Sequence, residues 1–129
     1  PQLFWNAGRN DLASDELVPL TQEQTGADFQ QPMVGRGAAY ADIDGDGDLD
    51  ILLIANGGPA RLFRNDLSNP KRYLRIQLRG SDGNTGAIGA IVQIQANEAM
   101  MTRCVTPTKS YLSQCELPVT FGIANDVNP

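Results

Sequence analysis

The sequence contains no histidine. That removes the side chain that most often titrates near neutral pH, and with it the Ser-His-Asp triad and most zinc sites. There is no nucleophile motif and no phosphate-binding glycine loop, so an enzyme is the weakest reading. No apolar run approaches the ~20 residues of a membrane-spanning helix. No N-x-Ser/Thr sequon occurs, and N-glycosylation is not expected. Cysteine is scarce: Cys104 and Cys115 are the only two. They form neither a C-x-x-C redox motif nor a metal set. With Pro107, Lys109 and Ser110 between them as turn material, they fit a disulfide across a hairpin, which would imply an oxidising compartment. The alternative is two buried free thiols. No secretory leader opens the chain, but a start at Pro1 reads as a processed or excised product, so that says little about destination. Positive charge is outweighed, with 10 Lys and Arg against 15 Asp and Glu in 129 residues. The balance argues against nucleic acid or an anionic membrane surface as a partner.

Helical periodicity is missing too, and what is present is strand-like. Apolar or alternating runs at 1–6, 17–21, 38–41, 50–55 and 61–65 are separated by Gly, Asn, Asp and Pro. Pro19 marks the second of these as an edge. Residues 22–37 read as a long loop. After 68–70 the character changes. Leu74, Ile76 and Leu78 alternate with Arg75, Gln77 and Arg79, giving a half-buried strand whose arginines form a solvated stripe. Ala90, Val92 and Ile94 alternate with Ile91, Gln93 and Gln95 in the same way. Further strands are expected at 100–106, 111–114 and 118–123. The best helical alternative, 97–102, is too short to stand alone. The chain therefore reads as all-β, with one unit at 1–68 and another at 69–129 sharing a core. PQLFWN at 1–6 and PARLFRN at 59–65 echo each other at a spacing of 59 residues, which suggests a repeating unit of that size. Phe4, Trp5, Phe63 and Phe121 are expected in the core rather than on a sugar-binding surface.

The densest chemistry lies in one loop. Asp42, Asp44, Asp46, Asp48 and Asp50 place five carboxylates within nine residues, and no base lies among them. Their mutual repulsion asks for a cation. An oxygen-only set suits Ca²⁺, a hard ion taking six to eight oxygen ligands. In the spacing D-x-D-x-D-G-x-x-D, the ligands are Asp42, Asp44, Asp46, Asp48 through its backbone carbonyl, and Asp50. Gly45 and Gly47 permit the positive φ angles that wrap a chain around an ion. An EF-hand starts in the same way but needs a bidentate Glu where Leu53 stands, and it needs flanking helices. Magnesium is disfavoured by its rigid octahedral geometry and its retained waters. The bland alternative is a solvated acidic turn with no ion. A catalytic carboxylate pair is the least favoured, because carboxylates committed to an ion are poor acids.

The stretch GRGAAYADIDGDGDLDILLIANGGPARLFRND, at 35–66, resembles the FG-GAP/VCBS repeat, a calcium-binding propeller blade. The second half resembles the ASPIC/UnbV domain, which follows such repeats in cartilage acidic protein and its bacterial relatives. The residues carrying this likeness are Leu74-Arg75-Ile76-Gln77-Leu78-Arg79-Gly80, Asn84, Ala87-Ile88-Gly89-Ala90, Ser110-Tyr111-Leu112-Ser113-Gln114 and Phe121-Gly122. The family's Phe-Gly-Leu-Gly becomes Phe121-Gly122-Ile123-Ala124 here, and the two cysteines lie outside its pattern. The resemblance implies one propeller-blade-like calcium-loop unit packed with a small β-sandwich or barrel-like domain, and it supplies no catalytic residues. One blade cannot close a propeller, so a propeller is not expected.

The leading expectation is a secreted, non-enzymatic, calcium-stabilised structural or adhesion module, extracellular or periplasmic, acting through protein contacts. Its partners would be other subunits or the rest of a longer chain. One alternative is a subunit of an extracellular filament or other assembly, with residues 1–6 adding as a strand to another polypeptide. Another is a calcium-dependent carbohydrate-binding module, which needs exposed aromatics beside the ion.

Overall fold

The structure is a computed structural model that describes residues 1–9, 15–66, 72–96 and 99–123. It is built from antiparallel strands, as the alternation requires. β1 (Phe4–Arg9) and β2 (Asp15–Pro19) form a ribbon of their own. A four-residue helix, α1 (Gln22–Thr25), follows, then a single 3-10 turn at Asp28–Gln30. β3 (Gly35–Ala41), β4 (Asp50–Ala55) and β5 (Arg61–Phe63) make a three-stranded meander with β4 in the centre.

The meander has two different faces. Tyr40, Ile51 and Phe63 are in register on one of them, and Phe63 meets buried Phe29 edge-on at 5.0 Å between ring centres. On the other face Leu52 pairs across to Leu62, and both stand exposed together with Ile54.

The C-terminal strands are β6 (Arg72–Ile76), β7 (Ile91–Ala96), β8 (Ala99–Cys104), β9 (Thr108–Ser110), β10 (Ser113–Gln114) and β11 (Val119–Ile123). β6 pairs with β11, β7 with β8, and β9 with β10. The β6–β11 and β7–β8 ribbons enclose the core. Phe121 is 0 % exposed and packs with Val105 and Val119, against Ile76, Leu78, Val92, Ile94, Met101 and Leu117. The inward alternation of Val92 and Ile94 is the one their spacing predicts, and Ile91 faces out. The β9–β10 hairpin lies against β3, where a side chain at Gly37 would overlap Ser113.

Several expectations change. The 22–37 loop contains α1, whose signal is a capping box: Thr21 N–H donates to the Gln24 side chain at 2.9 Å while the Thr21 side chain caps the first turn in return. Phe4 and Trp5 are 49 % and 61 % exposed rather than in the core, because among the described residues β1 pairs with β2 alone. The expected disulfide is absent: Cys104 is a free exposed thiol and Cys115 a free buried one. The hairpin between them explains why. Its register joins Ser110 to Ser113 and Thr108 to Gln114, so it does not set the cysteines opposite each other. Cys104 pairs instead with Ile91, and the Cys115 N–H donates to the Pro107 carbonyl at 2.7 Å. Of the 97–102 alternative, residues 99–102 are strand, and 97–98 lie outside the described residues. The expected boundary at 68/69 also falls outside them.

Candidate metal-binding loop

β3 ends at Ala41, β4 begins at Asp50, and these two residues are register partners. The connection between them has no strand partner for its N–H groups, and the aspartate side chains supply acceptors. Gly45 N–H donates to Asp42 Oδ1 at 2.8 Å, Asp46 N–H to Asp44 Oδ1 at 3.4 Å, and Asp48 N–H to Asp46 Oδ1 at 2.9 Å. The last two are Asx turns, a local conformation to which aspartate is well suited, and the first spans one residue more. Gly45 and Gly47 take φ values of 80° and 94°, the left-handed conformation that lets the loop curl.

The loop brings three of the five aspartates together. One carboxylate oxygen each from Asp42, Asp44 and Asp46 lies within 4.8 Å of the others. Asp48 and Asp50 contribute no carboxylate to this group. Asp48 was expected to act through its carbonyl in any case. Asp50 does something else. It is 1 % exposed, its Oδ2 accepts from Ile43 N–H at 2.9 Å, and its Oδ1 accepts from Asn65 N–H at 2.9 Å. Both oxygens thus tie the start of the loop to the chain leaving β5. Charge-assisted bonds of this kind offset the cost of burying the anion.

The cations that sequence reasoning found missing arrive from elsewhere in the chain. Arg75, on β6, donates through one nitrogen to Asp42 Oδ2 at 3.2 Å and to Glu116 Oε1 at 2.9 Å. Its other terminal nitrogen donates to Glu116 Oε2, which makes the Glu116 contact a two-pronged pair. The side chains are well covered, with 1 % of Asp42, 13 % of Glu116 and 28 % of Arg75 exposed. The hydrogen bond to Glu116, and then the charges of Glu116 and Asp42, raise the guanidinium above its ordinary range, with burial opposing. Arg64 lies 3.8 Å from Asp44 Oδ2 and pairs more closely with Asp66. Tyr73, two residues before Arg75 and so on the same face of β6, donates its hydroxyl to the Gly45 carbonyl at 3.0 Å. Its ring covers Gly47 so closely that a Cβ there would overlap it.

Arg75 was expected in a solvated stripe and instead reaches the loop. Alternation put Arg75 on the face opposite Leu74 and Ile76, but no local signal says what that face meets, and Tyr73 was not singled out. Beside the loop, Tyr40 has its hydroxyl pKa raised, chiefly by burial and then by the charges of Cys115 and Glu116.

The donor chemistry fits a hard cation. All the converging atoms are carboxylate oxygens, glycines open the loop, and no nitrogen or sulfur ligand intrudes among the grouped residues. Asp42, Asp44 and Asp46 are the residues that would hold the ion. Asp42 would share its carboxylate between the ion and Arg75.

Comparison with known families finds a match in the second half of the chain. The model described as ASPIC and UnbV matches residues 80–129. That segment contains β7 to β11 and Glu116, whereas the aspartate loop, Tyr73 and Arg75 precede it. No curated protein and no solved structure matches the chain.

Proposed function

We propose that the chain is a non-enzymatic, calcium-stabilised structural or adhesion module that works outside the cytoplasm through protein contacts. The observation that carries this reading is the convergence of Asp42, Asp44 and Asp46 within 4.8 Å. A loop that already curls on its own Asx turns presents these oxygens to an ion at little further entropic cost. The likeness of residues 35–66 to an FG-GAP/VCBS repeat supports calcium over other hard cations. Calcium's role is then to rigidify the corner between β3 and β4, and not to activate a substrate. The protein-contact part is supported by the uncovered face of the meander, where Leu52, Ile54 and Leu62 are exposed side by side.

The test is thermal unfolding with and without chelator. Calcium at about 100 times its Kd stabilises by about 2.7 kcal/mol. In a chain of this size that moves the melting temperature by about 10 °C. Free Ca²⁺ at about 10–100 mM should restore the chelated protein, and Mg²⁺ at the same concentration should not. Superimposable melts in chelator and in Ca²⁺ contradict the reading.

A second reading, a subunit that assembles through strand addition, is favoured by β1. This strand belongs to a two-stranded ribbon and carries exposed Phe4 and Trp5. β1 uses one edge on its own chain, so a partner would take the other. Light scattering across a wide concentration range tests it. Association that Trp5→Ala abolishes supports it, and a monomer throughout opposes it.

A further inference from the structure

The Arg75 guanidinium joins two acids that belong to different parts of the chain. Asp42 opens the aspartate loop, and Glu116 lies in the segment matched by the family model. One nitrogen of Arg75 serves both, and Thr120 Oγ1 accepts from the same nitrogen at 3.5 Å. Charges sharing one counter-ion in a covered site cannot be independent, since strengthening either pair draws the guanidinium from the other. We propose that Arg75 is a coupling residue through which Glu116 sets how much positive charge the Asp42 carboxylate feels, so that the C-terminal segment tunes the loop. For cation binding this extends the calcium reading above. The coupling itself needs no ion.

The consequences have opposite signs. Without Glu116, the whole guanidinium charge falls to Asp42 and competes with an entering cation. Without Arg75, Asp42 is released and a positive charge leaves the neighbourhood of the ion. Glu116→Gln should therefore weaken calcium binding about fivefold and Arg75→Gln should tighten it by a similar factor, within the usual range of intramolecular coupling. Glu116 reaches Asp42 through the Arg75 guanidinium, so a local packing role would not produce this reversal.

The experiment has two arms on the full chain. In chelator, urea unfolding of the wild type, Asp42→Asn, Glu116→Gln and the double variant should be non-additive by about fivefold in the unfolding constant. In an Arg75→Lys background, which keeps the charge and loses the fork, the non-additivity should shrink. It should vanish with Arg75→Gln. Additive effects in the wild-type background overturn the proposal whether or not calcium binds. In the second arm, calorimetric titration with CaCl₂ should show the opposed shifts for Glu116→Gln and Arg75→Gln. Shifts of the same sign overturn it. If the wild type shows coupling in chelator but no heat with CaCl₂, the calcium reading falls and the coupling stands.

Discussion

The two ends of this molecule are closed by different chemistry. In the C-terminal strands the centre is Phe121, wholly buried among aliphatic side chains from two facing ribbons. At the β3–β4 corner the carboxylates of Asp50 and Asp42 are buried, and the forces are hydrogen bonds to backbone N–H groups and ion pairs to arginines. A hydrophobic centre tolerates approximate geometry, because burial is non-directional. A centre made of carboxylates does not, because each lost partner leaves a desolvated donor or charge. The corner should therefore be the region most sensitive to single polar atoms and to ions, and the ribbons the region most sensitive to volume.

The largest expected effect breaks the apolar end. Phe121→Ala should cost about 3–5 kcal/mol in urea unfolding, since it removes a buried ring and leaves a cavity. A loss under 1 kcal/mol would show that Phe121 is not the centre of that core. Next comes Asp50→Ala at the polar end. It strands the Ile43 and Asn65 N–H groups and should cost about 3 kcal/mol with chelator present. Asp44→Asn in the same loop and the same buffer should cost under about 0.5 kcal/mol, because Asp44 is exposed. Equal losses would erase the distinction between an anchoring aspartate and an ion-facing one.

Gly47→Ala should cost about 2 kcal/mol, combining a strained positive φ with displacement of the Tyr73 ring. Tyr73→Phe, losing only the bond to the Gly45 carbonyl, should cost about 1 kcal/mol.

The smallest effect is a pH dependence. The folded pKa of Tyr40 is raised above its ordinary value of 10.0. The neutral hydroxyl is thus favoured in the folded chain. Its stabilisation is complete below the unfolded pKa and is lost as pH rises through the folded one. Urea midpoints should fall from pH 10 upward in the wild type, and less steeply in Tyr40→Phe.

Much of the corner is legible from sequence because its determinants are local. The aspartate spacing, the glycines and the apolar run at 50–55 specify a strand-loop-strand unit, and β4 spans those residues. The alternation of Val92 and Ile94 likewise assigns their face. What escaped depends on contacts distant in the chain. Arg75 meets Asp42 from 33 positions away, and its own neighbours announce only a strand. Trp5 looked like core because aromatic residues usually are, yet a two-stranded ribbon covers only what its partners reach. The cysteines suggested a closed hairpin by spacing alone, whereas the β9–β10 register decides which residues face each other. Whether the loop carries an ion was inferred from repulsion among five aspartates, and the structure supplies Arg75 and Arg64 as partial counter-charges.

The difference between the two ends comes down to whether the corner is completed by a metal ion. Isothermal titration of the chelator-stripped chain with CaCl₂ measures this directly. One ion per chain with a Kd on the order of 10⁻⁴–10⁻³ M, lost when Asp44 and Asp46 are both replaced by Asn, is the predicted result. No saturable heat from the folded wild type at tenfold higher calcium would contradict it, and Arg75 and Arg64 would then serve as counter-ions to the loop.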